Sequence, residues 1–334
     1  MDGLDEMRIV YGRSGKKFAE RICEKLRKYP KMGNITVSKT ELEVFNDSEI
    51  KPKIKENLRR KDVFIVQGFH REPCGVNEDL MELILLNDAV KRASARTITN
   101  VLPYMPYSRQ EKKIEGRVPI SSKKVISILE KDVNRIVTMD LHSPAIQGFS
   151  EIPLDNLESK ALFSHLIEED WNKENTVLVS PDLGGASRVE DYSNKLGMER
   201  ATIRKKRVEN NRPEMREIEG IESVEGKDVI IIDDMIDTGG TIKKSHELLD
   251  KLEAENIFAF CTHPILSPPA SERLSKLDIQ VIGSDTIPHT DKFLERNKNW
   301  FRVESVDELF AEAIHKIQTG GSISQSRLLF PNSH

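Results

Sequence analysis

The chain has 334 residues, and its 51 lysines and arginines nearly balance 55 aspartates and glutamates, for a formal net charge of −4. This length suits two domains better than one core. The charge balance excludes a chain-wide basic surface, so we expect no nucleic-acid and no membrane partner, and any basic site must be local. No apolar run approaches membrane-spanning length.

The number and spacing of the cysteines indicate the redox state of the compartment in which the protein works. Cys23, Cys74 and Cys261 are widely separated and have the spacing of neither a disulfide framework nor a zinc site. Such usage is typical of a reducing cytosol. The acidic N-terminus also lacks the basic and apolar regions of a signal peptide. We therefore expect a soluble cytoplasmic protein.

Short β-branched runs alternate with helical patterns along the chain, including a helix that opens near Ser14 and another over 242–252. The alternation predicts an α/β fold with mostly parallel sheets built from βαβ units and flanked by helices. The predicted strands lie at 7–10, 63–66, 97–102, 135–139, 176–179, 201–203, 229–232, 257–261 and 279–282.

A repeat divides the chain. In both halves a strand, loop, helix and strand are followed by a proline, Pro103 in the first copy and Pro264 in the second. We interpret this as two similar α/β domains from duplication, with coincidental βαβ regularity as the alternative. The expected domains are 7–154 and 155–304. A tail at 305–334 begins with a capping box formed by Ser305 and Glu308, and we expect it to pack back on the first domain.

The stretch after the strand at 229–232 is the most informative. Three acids precede a Thr-Gly-Gly-Thr sequence and a helix, at the strand end where open α/β sheets bind ligands. Glycines let backbone N–H groups approach a phosphate, and the helix dipole favours its charge. Acids beside such a cradle repel a bare phosphate but suit the hydroxyl groups of a sugar, so they favour a sugar phosphate as ligand. The alternative interpretation is an acidic turn and an ordinary helix cap without a ligand. The residues are Asp233, Asp234, Asp237, Thr238, Gly239, Gly240 and Thr241.

A second cradle follows the strand at 176–179. Gly184 and Gly185 precede a helix, and Arg188 can add a charge-assisted contact. Asp182 in this loop and His142, after the strand at 135–139, are candidate Mg²⁺ ligands or holders of its water shell. A structural role is the alternative, since a histidine at a strand end is more often structural than metal-binding.

Arg204-Lys-Lys-Arg207 continues the strand at 201–203 into a polar segment without apolar periodicity. A solvated basic loop is the ordinary interpretation of such a run. Next to two phosphate cradles, it predicts a mobile basic flap that closes over the site. Phosphoryl transfer is catalysed mainly by positioning and charge stabilisation, which such a flap can supply.

Two further groups lie in the first half. An aromatic residue with nearby acids can stack on a base and accept from its exocyclic amine, and an arginine can reach phosphates. Both groups are equally compatible with surface turns. They are Phe45, Asp47, Ser48 and Glu49, and Arg109 and Gln110.

Together these motifs resemble the ribose-phosphate diphosphokinase (phosphoribosyl-diphosphate synthetase) family, and the acid–glycine loop is similar to that of the type I phosphoribosyltransferase fold. The resemblance runs from about residue 9 to 330. It implies transfer of the β,γ-diphosphoryl group of ATP to the 1-hydroxyl of ribose 5-phosphate with Mg²⁺ required. The matching stretches are 57–59, 77–83, 103–104, 109–110, 118–120, 140–142, 180–182, 205–207, 233–241 and 262–264.

The resemblance also implies roles for the motif residues. Lys205 and Arg207 correspond to the catalytic flexible-loop pair, and His142 and Asp182 to the metal positions. The 45–49 and 109–110 groups fall on the ATP site. In the family the first of these reaches into a neighbouring subunit, which implies a homo-oligomer with a dimer as minimum unit and hexamers as the usual form. The ribose 5-phosphate site corresponds to Arg207, Asp233, Asp234, Asp237, Thr238, Gly239, Gly240 and Thr241.

Three positions depart from the family pattern, and one of them is Glu115, which lies in a shorter loop near an expected basic residue. Ser48 stands where glycine is usual and Glu111 where aspartate is usual. Two other functions remain as alternatives: a phosphoribosyltransferase that consumes the diphosphate, and a non-catalytic regulatory relative of the synthetase. The second nucleotide-type domain argues against the former, and the retained Lys205 and metal positions argue against the latter.

Overall fold

The computed structural model describes residues 7–30, 32, 35–72, 75–206 and 215–326. It forms two compact units. One comprises Met1–Glu158, Thr286–Pro288 and Ser305–His334, and the other comprises Ser159–Asp285 and His289–Glu304. Each unit contains a mostly parallel sheet flanked by helices, which confirms the predicted fold class.

The first unit has a parallel sheet with the strand order β1-β4-β5-β6-β7, and β2 and β3 form a separate antiparallel hairpin. Elements are numbered in chain order. The strands are β1 (Met7–Tyr11), β2 (Thr40–Val44), β3 (Ile50–Ile54), β4 (Asp62–Val66), β5 (Thr97–Leu102), β6 (Arg135–Met139) and β7 (Leu154–Leu157). The helices are α1 (Lys16–Leu26), α2 (Val76–Arg92), α3 (Ser121–Leu129) and, from the end of the chain, α9 (Asp307–Thr319).

Helix α9 packs on α1 within this unit. The rings of Phe18 and Phe310 meet edge to face with centroids 5.4 Å apart. Buried Asp307 lies 3.4 Å from Arg21 and 3.6 Å from Lys25. The helix begins at Asp307, whose backbone N–H donates to Ser305 Oγ at 3.3 Å, and Glu308 pairs with Lys25. The capping box of Ser305 and Glu308 stays a prediction.

The second unit has the strand order β10-β9-β8-β11-β12-β13-β14, parallel except for the antiparallel pair β9–β10. Its strands are β8 (Thr176–Ser180), β9 (Glu199–Lys206), β10 (Met215–Glu219), β11 (Asp228–Ile236), β12 (Asn256–Pro264), β13 (Gln280–Ser284) and β14 (Phe301–Glu304). Its helices are α4 (Lys160–Asp170), α5 (Ala186–Leu196), α6 (Gly240–Lys251), α7 (Ala270–Leu274) and α8 (Asp291–Asn297).

Both faces of the second sheet are covered, which explains its continuous apolar runs. Along β11, Val229 and Ile231 face a core that includes Ile242 and Leu249 of α6. The alternate residue Ile230 faces a core formed with α4 and α5. Because side chains alternate between the two faces of a strand, the single apolar run of β11 contributes to two hydrophobic cores.

Strand β11 is longer than the sequence predicts. It was expected to end at Ile232, but it pairs with β12 as far as Ile236. Asp233 and Asp234 are therefore strand residues rather than loop residues. Backbone pairing with β12 overrides the low strand preference of aspartate.

The division between units also differs in position from the sequence expectation. Strand β7 pairs with β6, so the first unit continues to Glu158 instead of ending at 154. Cys23 and Cys261 are buried free thiols, and Cys74 lies outside the described residues. Among the described residues, no helix is long and apolar enough to cross a membrane.

Two buried carboxylates of α2 tie the loops of the first unit together. Asp79 accepts hydrogen bonds from the Ser14 hydroxyl at 2.7 Å and from the His70 backbone N–H at 3.2 Å. Glu82 accepts from the backbone N–H and from Nε of Arg13, both at 2.9 Å. Burial raises the pKa of Asp79 to about 6, opposed by the hydrogen bonds from Ser14 and His70.

We expect Asp79→Asn to stabilise the protein more at pH 8 than at pH 5. The folded-state pKa of Asp79 lies near 6, above the usual value of an aspartate. Its contribution to stability is therefore lost as pH rises through the folded-state pKa. Asparagine keeps the shape without the buried charge. In chemical unfolding, the stability difference between variant and parent should grow by about 1.5 kcal/mol from pH 5 to pH 8.

Asp88→Asn is the matched control for this experiment. The Asp88 side chain is 46% exposed on the same helix and pairs with Arg92 at 2.7 Å. Its substitution should give no gain that grows with pH. Equal stability differences for Asp79→Asn at both pH values would show that Asp79 does not titrate in this range.

Candidate functional site

The connections of the second sheet diverge between β8 and β11, which are parallel neighbours. From β8 the chain runs through α5 to β9 on one side, and from β11 it runs through α6 to β12 on the other. In open α/β sheets, ligands bind in the crevice at such a switch point. The two predicted cradles, at 180–185 and 237–241, follow these two strands and therefore lie side by side.

The loop after β11 is built around Gly239. Its φ is +70°, in the left-handed region that favours glycine. A Cβ at this position would also lie 3.0 Å from Cγ of Leu274, so space as well as backbone geometry requires glycine. Helix α6 begins at Gly240 without a side-chain cap. The first N–H groups of a helix lack intrahelical acceptors and carry the positive end of its dipole, so this loop can hold an anion.

The acids next to this cradle share one arginine. Asp233 and Asp234 are adjacent residues of β11, and their side chains interact with each other. Nη1 of Arg188, from the first turn of α5, lies 3.7 Å from an oxygen of each. Burial, with the nearby Asp234 carboxylate, raises the pKa of Asp233, although 19% of its side chain remains exposed. The structure thus places Arg188 beside the first two acids of the predicted 233–241 group.

The loop after β8 folds back on itself. Oδ1 of Asp182 accepts from the Gly185 N–H at 3.1 Å, and the Ser180 hydroxyl donates to the Asp182 carbonyl at 2.6 Å. A Cβ on Gly185 would lie 2.8 Å from Ser180 Oγ. Gly184 is exposed at the tip. The loop therefore presents exposed backbone next to a carboxylate at the start of α5.

The carboxylates at these loops suit a hard cation such as Mg²⁺. Among the described residues, no group of three or more histidines, cysteines, aspartates or glutamates is placed to hold a metal by itself. Mg²⁺ usually takes one or two carboxylates and completes its shell with waters and substrate phosphates. Asp182, whose carboxylate is exposed, fits such a cation arriving with a phosphate-bearing substrate.

The predicted catalytic pair is only partly described. Lys205 lies near the end of β9, where its backbone is in register with Arg216 of β10. Arg207 and the rest of the predicted flap up to residue 214 lie outside the described residues.

In the first unit, the predicted 45–49 group forms the tip of the β2–β3 hairpin. The Phe45 ring is 40% exposed, with Nζ of Lys51 5.1 Å from its centroid. The Ser48 N–H donates to the Phe45 carbonyl at 2.9 Å, and Asp47 Oδ1 accepts from the Glu49 N–H at 3.1 Å. Ser48 has φ +73°, which explains why glycine is usual in the family at this position.

The other predicted residues of the first unit follow β5 and β6. Arg109 and Gln110 are exposed, and Gln110 Oε1 accepts from the Ser121 hydroxyl at 2.6 Å at the start of α3. His142 is exposed just after β6, whereas its proposed metal partner Asp182 belongs to the second unit.

One residue at the site was missed by the sequence analysis. Nη1 of Arg273, on α7, donates to the Thr238 carbonyl at 2.5 Å. Helix α7 was not predicted, and Arg273 is 35 residues from Thr238 in the chain. No motif around Arg273 marks it, so no sequence signal was available.

Comparison with known proteins agrees with this architecture. Residues 7–132 match the family described as the N-terminal domain of ribose phosphate pyrophosphokinase, and residues 151–289 match the phosphoribosyl transferase domain. The fold and the switch-point cradles define a protein of the phosphoribosyltransferase class, with two such domains.

Relatives that match over nearly their full length identify one family within this class. The ribose-phosphate pyrophosphokinase of Fusobacterium nucleatum is 39% identical over 97% of this chain and 99% of its own, and that of Aquifex aeolicus is 37% identical over 96% and 99%. The crystal structure of phosphoribosylpyrophosphate synthetase from Mycobacterium smegmatis has a TM-score of 0.84 at 33% identity, covering 95% of this chain and 100% of that one. The chain belongs to the ribose-phosphate pyrophosphokinase family.

We expect Gly239→Ala to destabilise the protein more than Gly226→Ala. Both glycines have positive φ, +70° and +65°, so each substitution carries a similar backbone cost of about 1–2 kcal/mol. Only at Gly239 does the new Cβ meet a neighbour, Leu274, while Gly226 has none within 4 Å. Chemical unfolding should show about 1 kcal/mol more loss for Gly239→Ala. Equal losses would contradict the packing of Leu274 against this loop.

Proposed function

We propose that this chain transfers the β,γ-diphosphoryl group of ATP to O1 of ribose 5-phosphate, giving 5-phosphoribosyl 1-diphosphate and AMP for nucleotide biosynthesis. The observation that carries the proposal is the pair of backbone cradles at one switch point, one of them flanked by acids. In the reaction, the 1-hydroxyl oxygen bonds to the β-phosphorus and loses its proton. The bond from that phosphorus to the α,β-bridging oxygen breaks, and AMP leaves.

The loop after β11 is proposed to hold the sugar phosphate. The backbone N–H groups of 238–241 would bind the 5-phosphate, since they form the uncapped start of α6. Asp233, Asp234 and Asp237 would face the sugar, where a carboxylate can accept hydrogen bonds from hydroxyl groups. Arg188 reduces the repulsion that these acids would exert on an incoming phosphate, because it lies 3.7 Å from the first two.

The cradle at 180–185 is proposed to hold the diphosphate. It lies next to the sugar-phosphate loop because β8 and β11 are parallel neighbours. Asp182, with His142 acting directly or through water, is proposed to hold Mg²⁺. When bound, that ion would neutralise phosphate charge and orient the diphosphate.

The ATP side is assigned to the first unit on the strength of family membership. Phe45 is exposed on a hairpin tip and can stack on the adenine, while Asp47, Ser48 and Glu49 supply polar groups around it. Arg109 is exposed and can reach the phosphates, with Gln110 beside it. An exposed aromatic residue at the tip of a hairpin suits a partner subunit, so we propose a homo-oligomer built from dimers, with a hexamer as the larger assembly.

Lys205 and Arg207 are proposed to stabilise the negative charge that develops between sugar and diphosphate. The position of Lys205 near the end of β9, the strand next to β8, supports this role. Both residues would act by charge and position rather than by forming a covalent intermediate.

The direct test is release of AMP from ATP by the purified chain. We expect AMP only when ribose 5-phosphate, ATP and Mg²⁺ are all present, together with an equal amount of 5-phosphoribosyl 1-diphosphate. Consumption of 5-phosphoribosyl 1-diphosphate with a nucleobase would instead indicate a phosphoribosyltransferase. Binding of ribose 5-phosphate without turnover would indicate a non-catalytic relative.

Lys205→Ala should lower kcat by about 10²–10³-fold, as removal of one transition-state donor does in other enzymes, while the KM for ribose 5-phosphate changes little. Arg204→Ala is the matched control, because Arg204 precedes Lys205 in the same strand and pairs with Glu219 at 2.7 Å. The control should retain parental kcat. A parental rate from Lys205→Ala would remove its catalytic role.

A further inference from the structure

Helix α7 supports the sugar-phosphate loop from behind. Nη1 of Arg273 donates to the Thr238 carbonyl at 2.5 Å, and the same atom would lie 3.4 Å from a Cβ on Gly240. The next residue, Leu274, is fully buried and occupies the space beside Gly239. Two consecutive residues of α7 thus contact three consecutive residues of the loop.

The hydrogen bond from Arg273 determines the direction of a backbone donor. In a planar trans peptide unit, the C=O and N–H groups point in opposite directions. Holding the Thr238 carbonyl toward α7 therefore turns the Gly239 N–H away from α7. Glycine is the residue with the largest backbone freedom, so this peptide needs an external contact to hold one orientation.

The guanidinium charge of Arg273 is also available to the loop. Among the described residues no carboxylate lies within ion-pair distance of Arg273. The neighbouring Glu272 pairs with Lys276 at 2.8 Å and interacts with the Arg273 charge only at longer range. The Thr238 carbonyl that it contacts is neutral. A positive charge bonded to that carbonyl polarises the peptide and strengthens its N–H as a donor. The charge also opposes the repulsion between the acids of β11 and an incoming phosphate.

We propose that Arg273 is a positioning residue for ribose 5-phosphate: it orients the Thr238–Gly239 peptide so that its N–H faces the 5-phosphate. Arg273 acts through the backbone and does not itself touch the reacting atoms. This inference rests on the proposed function, because it concerns the loop assigned to the sugar phosphate.

The test compares Arg273→Ala and Arg273→Lys with the parent. Arg273→Ala should raise the KM for ribose 5-phosphate about tenfold, as loss of one charge-assisted hydrogen bond predicts. The KM for ATP and kcat should stay within about twofold, because the contact concerns ground-state binding of one substrate. Arg273→Lys should recover part of the affinity, since lysine keeps the charge and a donor.

Lys298→Ala is the matched control. Lys298 lies just beyond α8 of the same unit, is exposed, and contacts Glu295 rather than the loop. It should leave both KM values at the parental level. A second measurement, the rise in unfolding temperature caused by ribose 5-phosphate, reports binding without turnover. That rise should be smaller for Arg273→Ala, while its unfolding temperature without ligand stays close to that of the parent.

A parental KM and a parental temperature rise in Arg273→Ala would overturn the inference. A ligand-free unfolding temperature lowered together with both KM values raised would also overturn it, since that pattern indicates general structural support. Failure of the proposed function has a different signature. A parent that binds ribose 5-phosphate but releases no AMP would remove the synthetase activity, while the temperature measurement would still decide the role of Arg273.

Discussion

The site depends on the parallel pairing of β8 with β11. Their hydrogen bonds align residues 228–231 with 176–179, so both strands end at the same edge of the sheet. The connection from β8 runs toward β9 and the connection from β11 runs toward β12, on opposite sides of this strand pair. This divergence leaves a crevice at the ends of the two strands. Two loops that lie more than 50 residues apart in the sequence thereby become neighbours, each followed by the N-terminus of a helix. A ligand with two phosphate groups can contact both.

The second constraint is electrostatic. Acids that suit sugar hydroxyls also repel phosphate, so their charge must be offset locally. Arg188 approaches Asp233 and Asp234 equally, at 3.7 Å, and burial raises the pKa of Asp233. The N-terminus of α6 adds positive potential from the backbone. The net charge of the chain is only −4, and the acids of this site are offset locally by Arg188 and by the N-terminus of α6. The site can therefore bind an anion although the chain as a whole is not basic.

The two units use the same kind of loop differently. In the first unit, backbone N–H groups of Arg13 and His70, after β1 and β4, already donate to Glu82 and Asp79 of α2. In the second unit, the loop after β11 has no side-chain cap at the start of α6. Two loop donors of the first unit are thus satisfied by its own carboxylates, while α1 and α2, like α6, begin without side-chain caps. The second keeps donors available for a ligand, as expected if only the second copy retains the sugar-phosphate loop.

The sequence alone determined the fold class, the β5 and β6 boundaries and the acid–glycine loop, because these depend on local features: apolar periodicity, β-branched runs and glycine at a turn. Tertiary structure decided what depends on distant partners. Pairing with β12 extended β11 over Asp233 and Asp234, and the contact of Arg21 and Lys25 with Asp307 joined α9 to the first unit. The position of Arg273 behind Thr238 was likewise decided by packing, since no local pattern links residues from separate elements that meet only in the folded chain.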